Sequence, residues 1–462
     1  MTRPDADGHV HPTRDDPVLT GLAEVVGGPV GRRAGRSRSW WTPLRVLLVV
    51  AALAAALGMA SKGACAATDF DEGDGRFTHL CYSDVPVAWT REGLDTLAWP
   101  WSGDPGVREQ YAVTTQPALV GLGAWGAAGV TRLLVGSDPE PAHARVVFTA
   151  VTAVGLAVLA LLATGALAAT RRRRPWDAGA FAAAPVLVLA GLVSWDLVAA
   201  AGVAGALWAW SRGRPVPAGV LLGAAAAAGV WPVLVLAALA LVLVRRREPA
   251  RVLPVAVTGL ATWALLNAPG FVTGRAQWER FWSTAAGRGP DAGSLWTVLS
   301  ATTPLGAGTA TVVAWTLVGA WVVGVAVLVL GARTTPRVSQ VALLLVAGVL
   351  LLGVAYRPQQ ALWLLPLAVL ARPRWRDLLV WQAGEVLYFA MVWWWLAGDL
   401  APGAGVQPGF YWVAIGLRLL ATLWLVAVVV RDVLRPEHDP VRAAPAGDGP
   451  QPNSTRSNQV AV

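Results

Sequence analysis

The stretch RTTPRVSQVALLLVAGVLLLGVAYRPQQALWLLPLAVLARPRWRD, residues 333–377, decides the fold. It holds two apolar runs, 338–355 and 359–371, separated by Tyr356-Arg357-Pro358-Gln359 and closed at both outer ends by arginines. Runs this apolar suit lipid, where no solvent satisfies backbone N–H and C=O groups. Each run must then be a helix, because it is too uniformly apolar for a barrel strand. Two helices joined by a short polar break form a hairpin. A hairpin brings both arginine clusters to one side of the bilayer, and clustered arginine marks that side as cytoplasmic.

The same pattern extends in both directions. Of 462 residues, 55% are hydrophobic and only 14% charged, and mean hydropathy is +0.52. That is too little charge to cover a soluble surface of this size, so the chain reads as an all-α polytopic membrane protein. Spans fall at about 44–60, 146–169, 178–194, 196–210, 216–230, 231–244, 252–268, 308–332, 338–355, 359–371, 377–397 and 411–430. Between them lie RRRR (171–174), SRGR (211–214), RRRE (245–248), ARTTPR (332–337), RPRWR (372–376) and RDVLR (431–435). With about twelve crossings, every cluster shares the cytoplasmic face. The segment 111–134 disturbs that parity, since a full crossing there would flip all six. Its Thr-Thr-Gln-Pro start and many glycines weaken it as a span, so it reads as re-entrant or interfacial, on the outer side. An extra crossing near 135–145 is the alternative. Several spans are short, and two pairs abut at Ser194-Trp195-Asp196 and Val230-Trp231-Pro232. Such helices line protein interiors or cavities rather than lipid.

Residues 1–39 and 436–462 are polar, without apolar period, and read as disordered cytoplasmic tails flanking a membrane domain at 40–435. Arg32, Arg33, Arg36, Arg38 and Arg45 precede the first span, which reads as a retained anchor rather than a signal peptide cleaved near GACAA. Net charge is +9, and Lys62 is the only lysine. The arginines sit between spans, so they read as topology signals and not as a nucleic-acid surface. Many of the 25 tryptophans lie near span ends, as an aromatic belt does.

This topology gathers a distinctive set on the outer face. The first outer loop, 62–145, contains both cysteines, Cys65 and Cys81, and an extracytoplasmic loop permits a disulfide between them. Lys62–Tyr111 holds nine acidic residues against four basic ones. The second large outer loop, 269–307, carries Arg275, Arg280 and Arg288. In its RAQWERFWSTAAGRG, Trp278, Phe281 and Trp282 share one helical face. That is an interfacial helix, serving either as an anchor alone or to capture a lipid-linked phosphate. Asp84 in SDVP and Asp196 in SWD each suit a helix cap or a shared outer cavity. Glu385 lies inside a span, with Gln382 one turn back as a hydrogen-bond partner; a proton or ion site is the other reading.

Five blocks in order carry a family resemblance. They are CYSDVP with REGL and PW, SWDLVAAAGVAGALWAWSRGRPVPAGVLLG, RGPDAGSLW, RPQQALWLLPLAVLARPRWRD, and WQAGEVLYF. Over roughly 44–430 the chain resembles glycosyltransferase family 87. These are actinobacterial, polyprenyl-phosphate-mannose-dependent α-mannosyltransferases of the GT-C superfamily. The resemblance implies a GT-C-like fold with a long first extracytoplasmic loop, whose catalytic aspartate matches Asp84. The implied partners are a polyprenyl-phosphate sugar donor, a cell-envelope glycan acceptor and the bilayer of the plasma membrane, with no nucleic acid. No cofactor is implied, and metal dependence stays open. A phosphate monoester leaves as a stable anion, so the acceptor hydroxyl needs only a base, and cations must hold the phosphate. Topology nominates Arg91, Arg280, Arg288 and Arg357 for the phosphate, with Gln359 beside them, and Asp196 for sugar hydroxyls. Two positions depart from the family pattern: Thr115 replaces a glutamate and Gly229 a lysine. The rival readings are a transporter or flippase for lipid-linked sugars and a catalytically degenerate paralogue.

Overall fold

The computed structural model describes residues 40–70, 73–112, 116–136, 140–171, 174–291, 293–400 and 409–442. Residues 1–39 and 443–462, read above as tails, lie outside the described residues, as does Thr115. Among the described residues, fifteen helices have eight residues or more, and no residue is in a strand. They are α1 Pro43–Ala60, α2 Asp84–Arg91, α3 Ala118–Val135, α4 Pro141–Thr170, α5 Asp196–Ser211, α6 Pro215–Ala228, α7 Val233–Arg245, α8 Leu253–Thr273, α9 Arg275–Ala286, α10 Leu295–Thr302, α11 Ala307–Gly331, α12 Val338–Leu352, α13 Ala361–Ala371, α14 Trp375–Leu396 and α15 Gly409–Leu434.

The arginine clusters come together at one end of the bundle. Arg171 donates to the Leu370 carbonyl, Arg212 to Ala169, Arg245 to Ala332 and Arg174 to Pro440. Arg337 and Arg372 close the same end through Asp439 and Asp432. The opposite end carries Asp84, whose N–H donates to the Val193 carbonyl at 2.7 Å. Chain segments alternate between these ends: α1, α4, the broken segment 175–193, α5, α6, α7, α8, α11, α12, α13, α14 and α15. Such an array of apolar helices is that of a polytopic fold.

Length alone would not reveal it. Among the described residues, six helices are both long and apolar enough to cross a bilayer, α1, α4, α11 and α15 among them. At 1.5 Å per residue, the 11 residues of α13 span about 16 Å, roughly half a hydrocarbon core. Nearly every residue of α12 and α13 is buried, so other helices, not lipid, surround them. α6 and α8 reach close backbone contact through glycine: a Cβ on Gly223 would lie 2.2 Å from the Gly259 carbonyl oxygen. Small residues allow this approach where lipid offers no hydrophobic drive between helices.

α3 is unbroken and also apolar enough to cross; it packs against α4, α6 and α8, and two of its side-chain ties lie at the Asp84 end. Gln116 before it donates to Glu92, and Trp125 within it donates to the Leu97 carbonyl. Five residues separate it from the start of α4, where Arg145 donates to the Asp69 carbonyl. The interfacial reading of 111–134 expected no such helix, since by length and composition alone Ala118–Val135 is apolar enough to cross.

Two local readings change. Glu385 accepts from Tyr356 and Trp381, whereas Gln382 turns away and accepts the Val186 N–H. The neighbouring helices supply closer partners than the preceding turn of its own. The start of the stretch read as a tail, Pro436–Arg442, is folded against the bundle, with Asp439 buried between Arg337 and Gln340.

A disulfide joins Cys65 and Cys81, with a Cα–Cα distance of 5.8 Å. A cross-link over 16 residues removes loop entropy from the unfolded chain worth about 3 kcal/mol. Cys81→Ser should lower thermal stability in detergent, and reductant should lower the wild type to the same value. An unchanged melting temperature would count against a structural role for the bond.

Candidate active site

Ser83 decides what Asp84 is free to do. Ser83 is the N-cap of α2, its Oγ accepting from the Val85 N–H at 3.2 Å and donating to the Leu192 carbonyl at 2.7 Å. Asp84 is therefore the first helical residue, and its carboxylate is not the cap. Only its Oδ1 is engaged among the described residues, accepting from the Tyr82 hydroxyl at 2.8 Å. The positive end of α2 faces this carboxylate.

Asp196 stands in the same relation to α5. Its Oδ2 accepts from Ser194 Oγ at 2.5 Å and its Oδ1 from Trp363 Nε1 at 2.6 Å. Because Asp84 docks on Val193 and Asp196 follows three residues later, the two carboxylates share one site and repel across it.

Arg357 completes the cluster. Its guanidinium acts on the charge of Asp84 and meets Asp291 Oδ2 at 3.4 Å. Arg288 lies within electrostatic reach of both Arg357 and Asp291. Burial is the main influence on Asp84 and pushes its carboxyl above the usual carboxylate range; the Tyr82 hydrogen bond and Arg357 oppose it, Asp196 adds to it, and Lys62 opposes it. Burial also pulls Lys62 down to about 8, against the attraction of Asp84. Its Nζ donates to the Tyr82 carbonyl at 2.9 Å, so it props the residue that holds Asp84.

Not every nominated residue joins this cluster. Arg91 is exposed at the far end of α2, and Arg280 is exposed on α9. Among the described residues neither has a hydrogen bond or ion pair to Asp84. The α9 aromatic face instead folds onto α8, where Trp278 Nε1 donates to Asn267 at 2.8 Å and Trp282 meets Trp263. Arg275 is taken by Glu279. Gln359 is buried beside Arg357 without a hydrogen bond to Asp84. Gly229 is extended, and a side chain there would lie against the Trp231 ring, 3.5 Å from its Cδ1. Trp231 stacks on Trp363, the partner of Asp196. Tyr82, Ser194, Asp291 and Trp363 were missed from sequence. Tyr82 adjoins the SD pair, and Trp363 follows the polar break by a few residues; those positions were the available signals.

The arrangement thus holds a half-buried carboxylate of raised proton affinity, a second carboxylate braced for hydroxyl groups, and two guanidinium groups for an anion. The model of glycosyltransferase family 87 matches residues 139–355. Over this segment the chain is similar to that family. The match spans a little under half of the chain, including Asp196, Arg288, Asp291 and the hairpin start, while Asp84 and Arg357 lie outside it. Among curated proteins, none matches the chain. The family match and the apolar helical bundle indicate a membrane glycosyltransferase, which implies a sugar donor and an acceptor.

Proposed function

We propose that the protein transfers a hexose, mannose in the first instance, from a polyprenyl-phosphate donor to a cell-envelope glycan or glycolipid on the outer face of the plasma membrane. Both chain termini are then cytoplasmic, on the arginine side. Asp84 takes the acceptor hydroxyl proton as the acceptor oxygen bonds to the anomeric carbon. The bond from that carbon to the phosphate oxygen breaks, and polyprenyl phosphate leaves with the electron pair. Arg357 and Arg288 hold the phosphate as its charge grows. Asp196, braced by Ser194 and Trp363, orients sugar hydroxyls. Displacement in one step inverts the anomeric centre.

The observation that supports this reading is that Asp84, docked on Val193, Asp196, held by Ser194 and Trp363, and the Arg357–Asp291 pair gather from distant parts of the chain at one end of the bundle. Incubating membranes with radiolabelled polyprenyl-phosphate-mannose and candidate acceptors tests it. Label should pass to a water-soluble or glycolipid product as polyprenyl phosphate is released. Movement of intact donor across the membrane without bond cleavage would instead establish a flippase. The engagement of Glu385 by Tyr356, Trp381 and Thr422 leaves less for an ion-coupling role.

The pH dependence follows from the base. Asp84 works deprotonated, and burial raises its pKa. The acid limb of kcat/KM should lie above the ordinary aspartate value of about 3.9. Tyr82→Phe removes a hydrogen bond that favours the charged form, so the limb should move to still higher pH. A limb that stays in place, or moves down, in that variant would remove Asp84 as the titrating base.

A further inference from the structure

Beneath Arg357 lies a polar column that no step above uses. Glu385 on α14, Tyr356 just after α12 and Arg418 on α15 are all buried. Tyr356 donates its hydroxyl to Glu385 Oε2 at 2.6 Å, and Trp381 and Thr422 engage Oε1 at 3.1 and 3.5 Å. The Arg418 guanidinium carbon lies 3.6 Å above the centre of the Tyr356 ring. Its Nη2 donates to the Gly293 carbonyl at 3.1 Å, while Nε and Nη1 have no hydrogen-bond partner among the described residues. A buried cation over the ring and a buried carboxylate at the hydroxyl therefore hold one tyrosine.

This column grips both segments that reach the site. Tyr356 directly precedes Arg357. Gly293 follows Asp291 by two positions, and the Asp291 N–H donates to the Val354 carbonyl at 3.0 Å. Gly293 has φ +79°, and a Cβ there would lie 1.9 Å from the Tyr388 hydroxyl, which itself bonds to the Tyr356 carbonyl. The two segments then meet at their tips as the Asp291–Arg357 pair.

Stability does not explain such a knot. Interior charges are costly in a membrane protein, and exchanging buried charged groups for apolar ones of similar volume is often neutral or stabilising. Two unpartnered guanidinium nitrogens, Nε and Nη1, make this one costlier still. We propose that the Glu385–Tyr356–Arg418 column is a positioning element that sets Arg357 and Asp291 at the phosphate subsite. It rests on the reading of Arg357 as a phosphate ligand.

The test uses the full chain carrying Glu385→Leu, Tyr356→Phe and Arg418→Leu together, in lipid nanodiscs. The variant should melt at or above the wild-type temperature. Its affinity for polyprenyl monophosphate should fall about tenfold or more, as misplaced binding groups do. Deuterium exchange at amides 293–297 should rise about tenfold. Wild-type affinity and wild-type exchange in the folded triple variant would overturn the proposal. If the wild type itself fails to bind polyprenyl monophosphate, the phosphate reading fails separately, and unchanged exchange in the variant still overturns the coupling. Should the triple variant not fold, Tyr356→Phe alone carries the test: exchange should rise about threefold, and a wild-type value overturns the proposal.

Discussion

Asp84→Asn lowers kcat/KM for sugar transfer by about 10²–10⁴-fold, the range that a positioned general base supplies. The substitution is close to isosteric, and the fold around it should hold. Ser83, not Asp84, caps α2 and ties the loop to the Leu192 carbonyl. The backbone N–H of residue 84 still bonds to Val193. The amide oxygen can still accept from Tyr82, so what is lost is the capacity to take a proton. Burial already disfavours the charged form, so the neutral amide should not unfold the site. Thermal unfolding in detergent, beside initial rates with a saturating lipid donor, separates the two effects. Transfer within threefold of the wild type would remove Asp84 from the chemistry. Unchanged rates together with lost melting would assign it a structural role.

Sidedness and proximity were not equally legible in the sequence. The arginine clusters and apolar runs determine which loops share an end, because lipid forces each run into a helix and charge sorts the turns. The structure joins those clusters by hydrogen bonds, Arg171 donating to the Leu370 carbonyl and Arg372 to the His438 carbonyl. Sharing an end does not create a site, however. Arg91, Arg280 and Arg357 satisfied the same topological criterion, yet only Arg357 acts on Asp84. What selects it is the docking of the 83–84 loop onto 192–193 and of the 291–293 turn onto 354–356, contacts between segments far apart in sequence. Glu385 makes the same point. Helical spacing nominated Gln382, but Tyr356 and Arg418 come from outside its helix. Composition also misled at Pro436–Arg442, where a polar stretch without period holds Asp439, which is buried once Arg337 accepts it as a partner.

Arg372→Met destabilises the protein by roughly 3–5 kcal/mol, the cost of leaving buried charge uncompensated. A count of positive charge treats Arg372 and Arg376 alike, since both belong to the RPRWR cluster. Their surroundings differ. Arg372 is fully buried: Nε donates to Asp377 Oδ2 at 2.8 Å, and Nη1 donates to both oxygens of Asp432, at 2.8 and 2.6 Å, and to the His438 carbonyl at 3.0 Å. It therefore links α14, α15 and the chain beyond α15. Arg376 also meets Asp377, but its side chain is 67% exposed, so Arg376→Met should change stability by less than about 1 kcal/mol. Lysine should not rescue position 372, because a point charge cannot engage two carboxylates in the fork geometry of a guanidinium. Adding Asp377→Leu and Asp432→Leu to Arg372→Met should restore much of the loss, since the orphaned charges go with the cation. Melting temperatures of the four variants in one detergent decide the matter. Equal effects at 372 and 376 would reduce both to topology signals, and the node that fixes the arginine end would have to be sought elsewhere, at Arg337 and Asp439.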